Sequence, residues 1–408
     1  MSKKNRFAPV DEQLSIIRRG TVEILPEEEL IEKLKTSRDT NKPLRIKLGC
    51  DPTRPDLHLG HSVILRKMRQ FQDLGHHVIL IIGDFTALIG DPTGQNKTRP
   101  SLTPEEIKEN AQTYLDQAGK ILDREKAEIV YNSDWLGPLR FSDVISLSSQ
   151  LTVARMIERD DFSNRFENHE PISLHEFLYP LAQGQDSVHL ESDVELGGTD
   201  QKFNLLVGRD LQRNAGLSQQ VCLMMPLLVG TDGSRKMSKS YDNYIGIDES
   251  ANEMYGKVLS IPDDVMYTYY ELVTDIPTDE LPNIRKQIES DPRNAKHHLA
   301  YTITRMYHGE EGAGDARKHF EQTVIKKEVP DDAPVVELSA GEAHRLLDII
   351  SQAGLTQSNG ETKRMMKQGG VSLNDEKIEE IGHEVTLEKG EELELKVGKR
   401  KYARIVGV

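Results

Sequence analysis

Two histidines stand three residues apart in His58-Leu59-Gly60-His61, directly after Gly49-Cys50-Asp51-Pro52-Thr53-Arg54-Pro55-Asp56-Leu57. A strand-like stretch, Leu44 to Leu48, ends there, a proline-rich turn follows, and helical periodicity begins at the glycine and runs from His61 to Leu74. The N-terminus of a helix offers free N–H groups and positive potential, both suited to phosphate. Two imidazoles on one face of that helix start can donate to phosphate oxygens whose charge grows in a transition state. Gly60 leaves room for a flat base or ribose to approach the backbone. Alone, so short a motif would serve equally as one packed and one surface histidine. The chain has no G-x-x-x-x-G-K-[ST] loop, so a Walker-type phosphate cradle is excluded.

A second motif points to the same chemistry. Gly230-Thr231-Asp232-Gly233-Ser234-Arg235 is a turn-rich loop that delivers Lys236-Met237-Ser238-Lys239-Ser240. Two lysines on such a loop can close over a triphosphate and stabilise departing pyrophosphate. The two motifs in this order, with a domain-sized insertion between them, resemble the class I aminoacyl-tRNA synthetases. The resemblance implies activation of an amino acid with ATP, release of pyrophosphate, and transfer to a ribose hydroxyl at the tRNA 3′ end. It implies that His58 and His61 stabilise the phosphate, that Lys236 and Lys239 hold the leaving pyrophosphate, and that Asp51, Thr53 and Gly60 lie against ATP.

The amino acid is addressed by Tyr179-Pro180-Leu181-Ala182-Gln183-Gly184-Gln185-Asp186. Tyr179, Gln183 and Asp186, at i, i+4 and i+7, share one helix face. On spacing alone that face could be solvated. It resembles, however, the tyrosine-binding helix of the tyrosyl-tRNA synthetases, which implies that Asp186 accepts the phenol hydrogen and that Tyr179 and Gln183 hold the α-amino group. By the same resemblance Asp91 is the carboxylate for the amino group and Asn132 a further substrate contact. Gly198, Asp200 and Gln201, in Gly197-Gly198-Thr199-Asp200-Gln201, approach the adenylate ribose and the substrate. One position departs from the pattern: Lys47 falls where many members of the family carry a tyrosine that bonds the substrate hydroxyl.

The elements that must carry these residues read as α/β. Leu44 to Leu48, His61 to Leu74 and the β-branched run Val78 to Ile82 form a strand–helix–strand unit. The pattern continues with a helix over Thr103 to Leu122, a strand over Glu128 to Tyr131, helices over Ser173 to Gln185 and Gln201 to Asn214, and a strand over Val221 to Met225. This predicts a doubly wound, Rossmann-like parallel sheet over residues 1–248, with an insertion. Pro9 to Asp39 reads as helical throughout. Residues 249–325, interrupted by Pro262, Pro277, Pro282 and Pro292, read as an all-helical domain, taken by resemblance as anticodon-binding. Residues 326–341 read as a linker.

Residues 342–408 read as a small α+β module of two short helices followed by strands such as Glu392 to Val397. Ser358 to Asn374 resembles an S4-like RNA-binding module, with Lys363, Arg364 and Lys367 on one helix and Lys399-Arg400-Lys401 near the end.

Composition sets outer bounds. The chain has 408 residues, 37% hydrophobic and 29% charged, which suits a soluble multidomain protein. Its net charge of −15 argues against general affinity for nucleic acid, so an RNA partner must be read from local motifs. Two widely separated cysteines, Cys50 and Cys222, give no metal-ligand spacing and suit a reducing, cytoplasmic setting. No secretory leader and no membrane-length apolar run is visible. The expected partners are L-tyrosine, ATP with Mg2+ as its counterion and no dedicated protein metal site, the tyrosine tRNA, and a second copy of the chain, the last by resemblance only. Other readings stay open: a tryptophan-specific relative, a small-molecule nucleotidyltransferase, or a non-catalytic RNA-binding protein on the same scaffold.

Overall fold

A computed structural model describes residues 7–53, 56–92, 103–326, 329, 333–398 and 401–408. Arg54, Pro55, Lys399 and Arg400, singled out above, lie outside the described residues. The chain divides into two compact units, Met1–Tyr307 and His308–Val408.

The first unit is built on a six-stranded sheet. Its strands are β1 (Glu23–Leu25), β2 (Arg45–Cys50), β3 (His77–Ile82), β4 (Ala127–Tyr131), β5 (Val194–Gly198) and β6 (Val221–Met225), in the order β1-β6-β5-β2-β3-β4. Only β1 runs antiparallel to its neighbour; β2 to β6 are parallel. The order reverses between β2 and β5, and doubly wound sheets bind ligands at the carboxyl ends of strands flanking such a switch point. Four helices frame it: α1 (Leu59–Asp73), α2 (Pro104–Ala118), α3 (Leu178–Leu190) and α4 (Lys202–Asn214). The apolar run of β3 is buried from Val78 to Ile82, as a central parallel strand must be. The start of α2 is a capping box, with Thr103 Oγ1 accepting from Glu106 N at 3.2 Å and Glu106 Oε2 accepting from Thr103 N at 2.8 Å.

Two elements differ from the sequence reading. The segment taken as one long helix is a helix over Val10–Arg18, strand β1, and a second helix over Glu27–Thr40. Gly20 lies at φ 63°, outside helical space, and the chain then pairs with β6. The sequence reading has no strand at β5, because Glu195 and two glycines mask its apolar character; its acid is buried and paired.

Helices Ala251–Ser260, Met266–Val273 and Leu281–Ser290 follow, and a long helix over Pro292–Phe320 is broken at Gly309, φ 73°. In the second unit a five-stranded sheet runs in the order Glu376–Lys377, Val371–Leu373, Glu392–Val397, Lys401–Gly407, Val335–Leu338. Strand Val335–Leu338 falls inside the stretch read as a linker, where it pairs in parallel with the last strand. The helices Leu346–Gln352 and Asn359–Lys367 cover a core that includes Leu346, Ile350, Met366, Val371, Leu395 and Ile405.

Candidate active site

Helix α1 begins at the histidine motif, with His58 as its N-cap in extended conformation. His58 Nδ1 accepts from Gly60 N at 3.1 Å, and His61 Nδ1 accepts from His58 N at 3.2 Å. Each ring therefore spends its Nδ1 lone pair on the backbone, and the proton of the neutral imidazole sits on Nε2. The rings lie 3.9 Å apart. Burial, helped by the neighbouring His61 and Lys239, pushes His58 down to about 2; burial and Lys239 push His61 down to about 4. Both are neutral donors, not cations. At Gly60 a Cβ would meet His58 Cε1 at 2.8 Å, so the glycine also makes room for the imidazole itself.

The lysine loop is pinned to this motif by backbone pairing. His58 and Gly246 form an antiparallel bridge, with Leu59 N donating to Ile245 O at 2.9 Å and Ile247 N to Leu57 O at 3.1 Å. Inside the loop the buried Asn243 accepts from Ser238 N at 2.8 Å and donates to Lys236 O at 3.1 Å and Asp232 Oδ2 at 3.0 Å. Two backbone N–H groups, those of Ser234 and Arg235, help hold the Asp232 carboxyl down at about 2. Lys236 reaches toward Asp200, Nζ to Oδ2 3.6 Å. Lys239 pairs with Asp56 and lies 5.6 Å from the Tyr244 ring centre. Both ammonium groups thus sit on carboxylates that a triphosphate would have to outcompete.

Around the switch point lie the remaining candidates. Asp51, just past β2, accepts from Thr86 Oγ1 at 2.7 Å and Tyr179 Oη at 2.9 Å, while Thr53 N donates to Asp51 O at 2.8 Å. At the end of β5 a Cβ on Gly198 would stand 2.6 Å from Asp200 Oδ1, so that acid can fold close over the strand end. Asp91 accepts from Arg159 at 3.0 Å and from Gln201 Nε2 at 2.8 Å. Asn204 Nδ2 donates to Gln183 Oε1 at 3.0 Å and to Gln201 Oε1 at 2.9 Å, joining Gln183, Gln201 and Asp91 into one network.

Tyr179, Gln183 and Asp186 share α3 as the spacing predicts. Asp186 is buried; Oδ1 accepts from Trp135 Nε1 at 2.8 Å and Oδ2 from Asn132 Nδ2 at 3.4 Å. Burial raises its pKa to about 7. Lys47 lies behind it, in an ion pair with Glu195 at 3.1 Å.

Sequence reasoning missed Thr86, Trp135, Arg159, Glu195, Asn204 and Asn243. Only Glu195, an acid inside an apolar strand, carried a local signal. In the second unit Lys363, Arg364 and Lys367 are exposed on their helix, and Lys401 donates to Leu355 O at 2.7 Å.

Residues 39–324 match the family described as tRNA synthetases class I (W and Y), and residues 325–405 match the tyrosine–tRNA ligase SYY-like C-terminal domain. The chain is 58% identical over 401 residues to the tyrosine–tRNA ligase of Salinibacter ruber, covering 98% of this chain and 97% of that protein. It is 52% identical over 400 residues to that of Thermotoga maritima, covering 97% and 98%. The fold is similar to a C-terminally truncated mitochondrial tyrosyl-tRNA synthetase of Aspergillus nidulans, with a TM-score of 0.63 and 24% identity over 78% of this chain and 94% of that one. It is also similar to the Archaeoglobus fulgidus tyrosyl-tRNA synthetase complexed with L-tyrosine, with a TM-score of 0.62 and 24% identity over 76% of this chain and 100% of that one.

Proposed function

The chain belongs to the class I tRNA synthetases of the tryptophan and tyrosine group, as a tyrosine–tRNA ligase, and from that premise we propose how its residues divide the work. The enzyme uses ATP to join L-tyrosine to its tRNA. A carboxylate oxygen of tyrosine attacks the α-phosphorus of ATP, and the bond to the bridging oxygen breaks to release pyrophosphate. The ribose hydroxyl at the tRNA 3′ end then attacks the tyrosyl carbonyl and releases AMP.

In the first step His58 and His61 donate Nε2–H to phosphate oxygens as their charge grows. Lys236 and Lys239 exchange Asp200 and Asp56 for the departing pyrophosphate. Asp51, Thr53 and Gly60 line the ATP side, and Gly198 and Asp200 the ribose. Asp91, Tyr179, Gln183 and Gln201 surround the amino group, and Asp186, steadied by Asn132 and Trp135, takes the phenol hydrogen. Mg2+ arrives with ATP as its counterion; no group of three or more potential metal ligands occurs among the described residues.

The observation that carries the reading is Asp186, a buried carboxylate on the helix face that also presents Tyr179 and Gln183. The phenyl ring of phenylalanine has no donor for such a group and would leave it stranded. The test is amino-acid-dependent ATP–pyrophosphate exchange. Tyrosine alone should support it, and exchange with tryptophan would sink the pocket assignment.

Three further parts of the proposal rest on other features. Phe141, Ile145, Val153, Phe166 and Leu174, between β4 and β5, expose more than half of their surface, which suits burial against a second copy. Sedimentation should give twice the chain mass, and Phe141→Glu with Leu174→Glu should give the monomer. Lys363, Arg364 and Lys367 contact tRNA phosphates. Replacing one should weaken tRNA binding and lower the salt slope by about 1. The cytoplasm suits Cys50 and Cys222, both free, and cell fractionation would test that location. Among the described residues no helix is long and apolar enough to cross a membrane.

A further inference from the structure

Two charged side chains are shut away beneath the tyrosine-binding helix. Lys47 on β2 and Glu195 on β5 are register partners on adjacent strands, Nζ to Oε1 3.1 Å, and each side chain is 1% exposed. Removing two ions from water costs more than their attraction returns unless further hydrogen bonds satisfy them. Here they are satisfied by the substrate helix. Glu195 accepts from Gln183 Nε2 at 3.0 Å, from Ser187 Oγ at 3.2 Å, and from Gln220 Nε2. Lys47 Nζ donates to the main-chain oxygen of Gln183 at 3.3 Å. The pair therefore grips the turn of α3 from Gln183 to Ser187, which carries Asp186 in its middle.

The groups facing Asp186 are few. Lys47 comes from β2 and Glu195 from β5; Asn132 and Trp135 come from the segment after β4; His189 of the same helix stacks on Trp135 with ring centres 4.5 Å apart. Of these, Lys47 favours the ionised carboxylate most, ahead of the Trp135 and Asn132 hydrogen bonds, and Glu195 opposes it least. Apolar side chains could hold the two strands together equally well. They could not put a cation behind the carboxylate.

We infer that Lys47, anchored by Glu195, is a positioning residue of the tyrosine pocket: its ammonium fixes the Gln183 turn and holds Asp186 in the carboxylate form that accepts the phenol hydrogen. This rests on the assignment of Asp186 made above. The experiment is the pH profile of kcat/KM for tyrosine in exchange, measured on the full chain. Lys47→Met with Glu195→Gln removes both charges together and strands neither. Lys47→Gln, whose amide can still donate to Glu195, is the second variant, for use if the first does not fold.

In either variant the acid limb should move up by about one pH unit, so that kcat/KM falls about threefold near pH 7.5, about tenfold near pH 6, and recovers near pH 9. Added to Asp186→Asn, the same changes should alter the tyrosine–phenylalanine ratio less than about twofold, because they act through that carboxylate. A folded variant whose limb stays in place, with any loss equal at every pH, would overturn the inference. Asp186→Asn alone, with no change at Lys47, reports separately on the underlying assignment. If that variant rejects phenylalanine as strongly as the unaltered chain, the assignment fails, and the inference falls with it.

Discussion

Asp186→Asn is expected to lower kcat/KM for tyrosine by about 10²-fold while leaving the value for phenylalanine within a few-fold of its start. A hydrogen bond to a buried charged acceptor is worth about 1.5–3 kcal/mol, and a substrate that cannot make it leaves the carboxylate stranded. Tyrosine enzymes of this family are themselves the reference case for that rule, so the full rejection of about 10⁵ is their magnitude and serves here only as the scale against which the loss is read.

The carboxylate also sets a pH dependence. Burial holds Asp186 at about 7 against the Lys47 ammonium and the Trp135 and Asn132 donors. The ionised form is the stronger acceptor, and raising the pH removes the proton. Therefore kcat/KM for tyrosine rises through about pH 7 and below it falls about tenfold per unit. Asp186→Asn should lose this limb together with the discrimination. Stopped-flow or exchange kinetics on both amino acids decide it: unchanged rejection of phenylalanine in the variant would remove Asp186 from the phenol site.

His58→Ala and His61→Ala should each slow adenylate formation by about 10²–10³-fold with the KM for tyrosine nearly unchanged. A donor aimed at charge that develops only in the transition state acts on kcat, whereas uniform binding acts on KM. Because both rings are held neutral down to about 4 or below, their Nε2 protons stay in place across the working range. No activity limb near the ordinary histidine value is expected, and the limb near 7 should survive both substitutions. His58 also caps α1, so its loss should cost about 1 kcal/mol of stability. A melting curve separates that cost from the kinetic one. A rise in KM with kcat intact would show that the histidines bind ATP without favouring the transition state.

The features that the sequence determined are those whose cause is local. The Thr103 and Glu106 capping box, the buried run of β3, the helix start at His58, and the i, i+4, i+7 set on α3 all follow from neighbouring residues and from helix or strand periodicity. These motifs, in their order, were enough to indicate the chemistry and a doubly wound sheet.

The tertiary structure decided what depends on residues far apart in the chain. Backbone pairing of His58 with Gly246 brings the lysine loop to the histidines, and no spacing announces it. Arg159 reaches Asp91 from a segment with no motif of its own, and Trp135 reaches Asp186 from just beyond Asn132. Nothing in the sequence says that Lys47 and Glu195 pair, and Glu195 with its two glycines masks the apolar character of strand β5. A charge becomes an interior residue only when folding supplies its partner, and that partner comes from another strand. The sequence therefore singled out the candidate groups for the chemistry, and the fold determined their protonation, their orientation and what holds them.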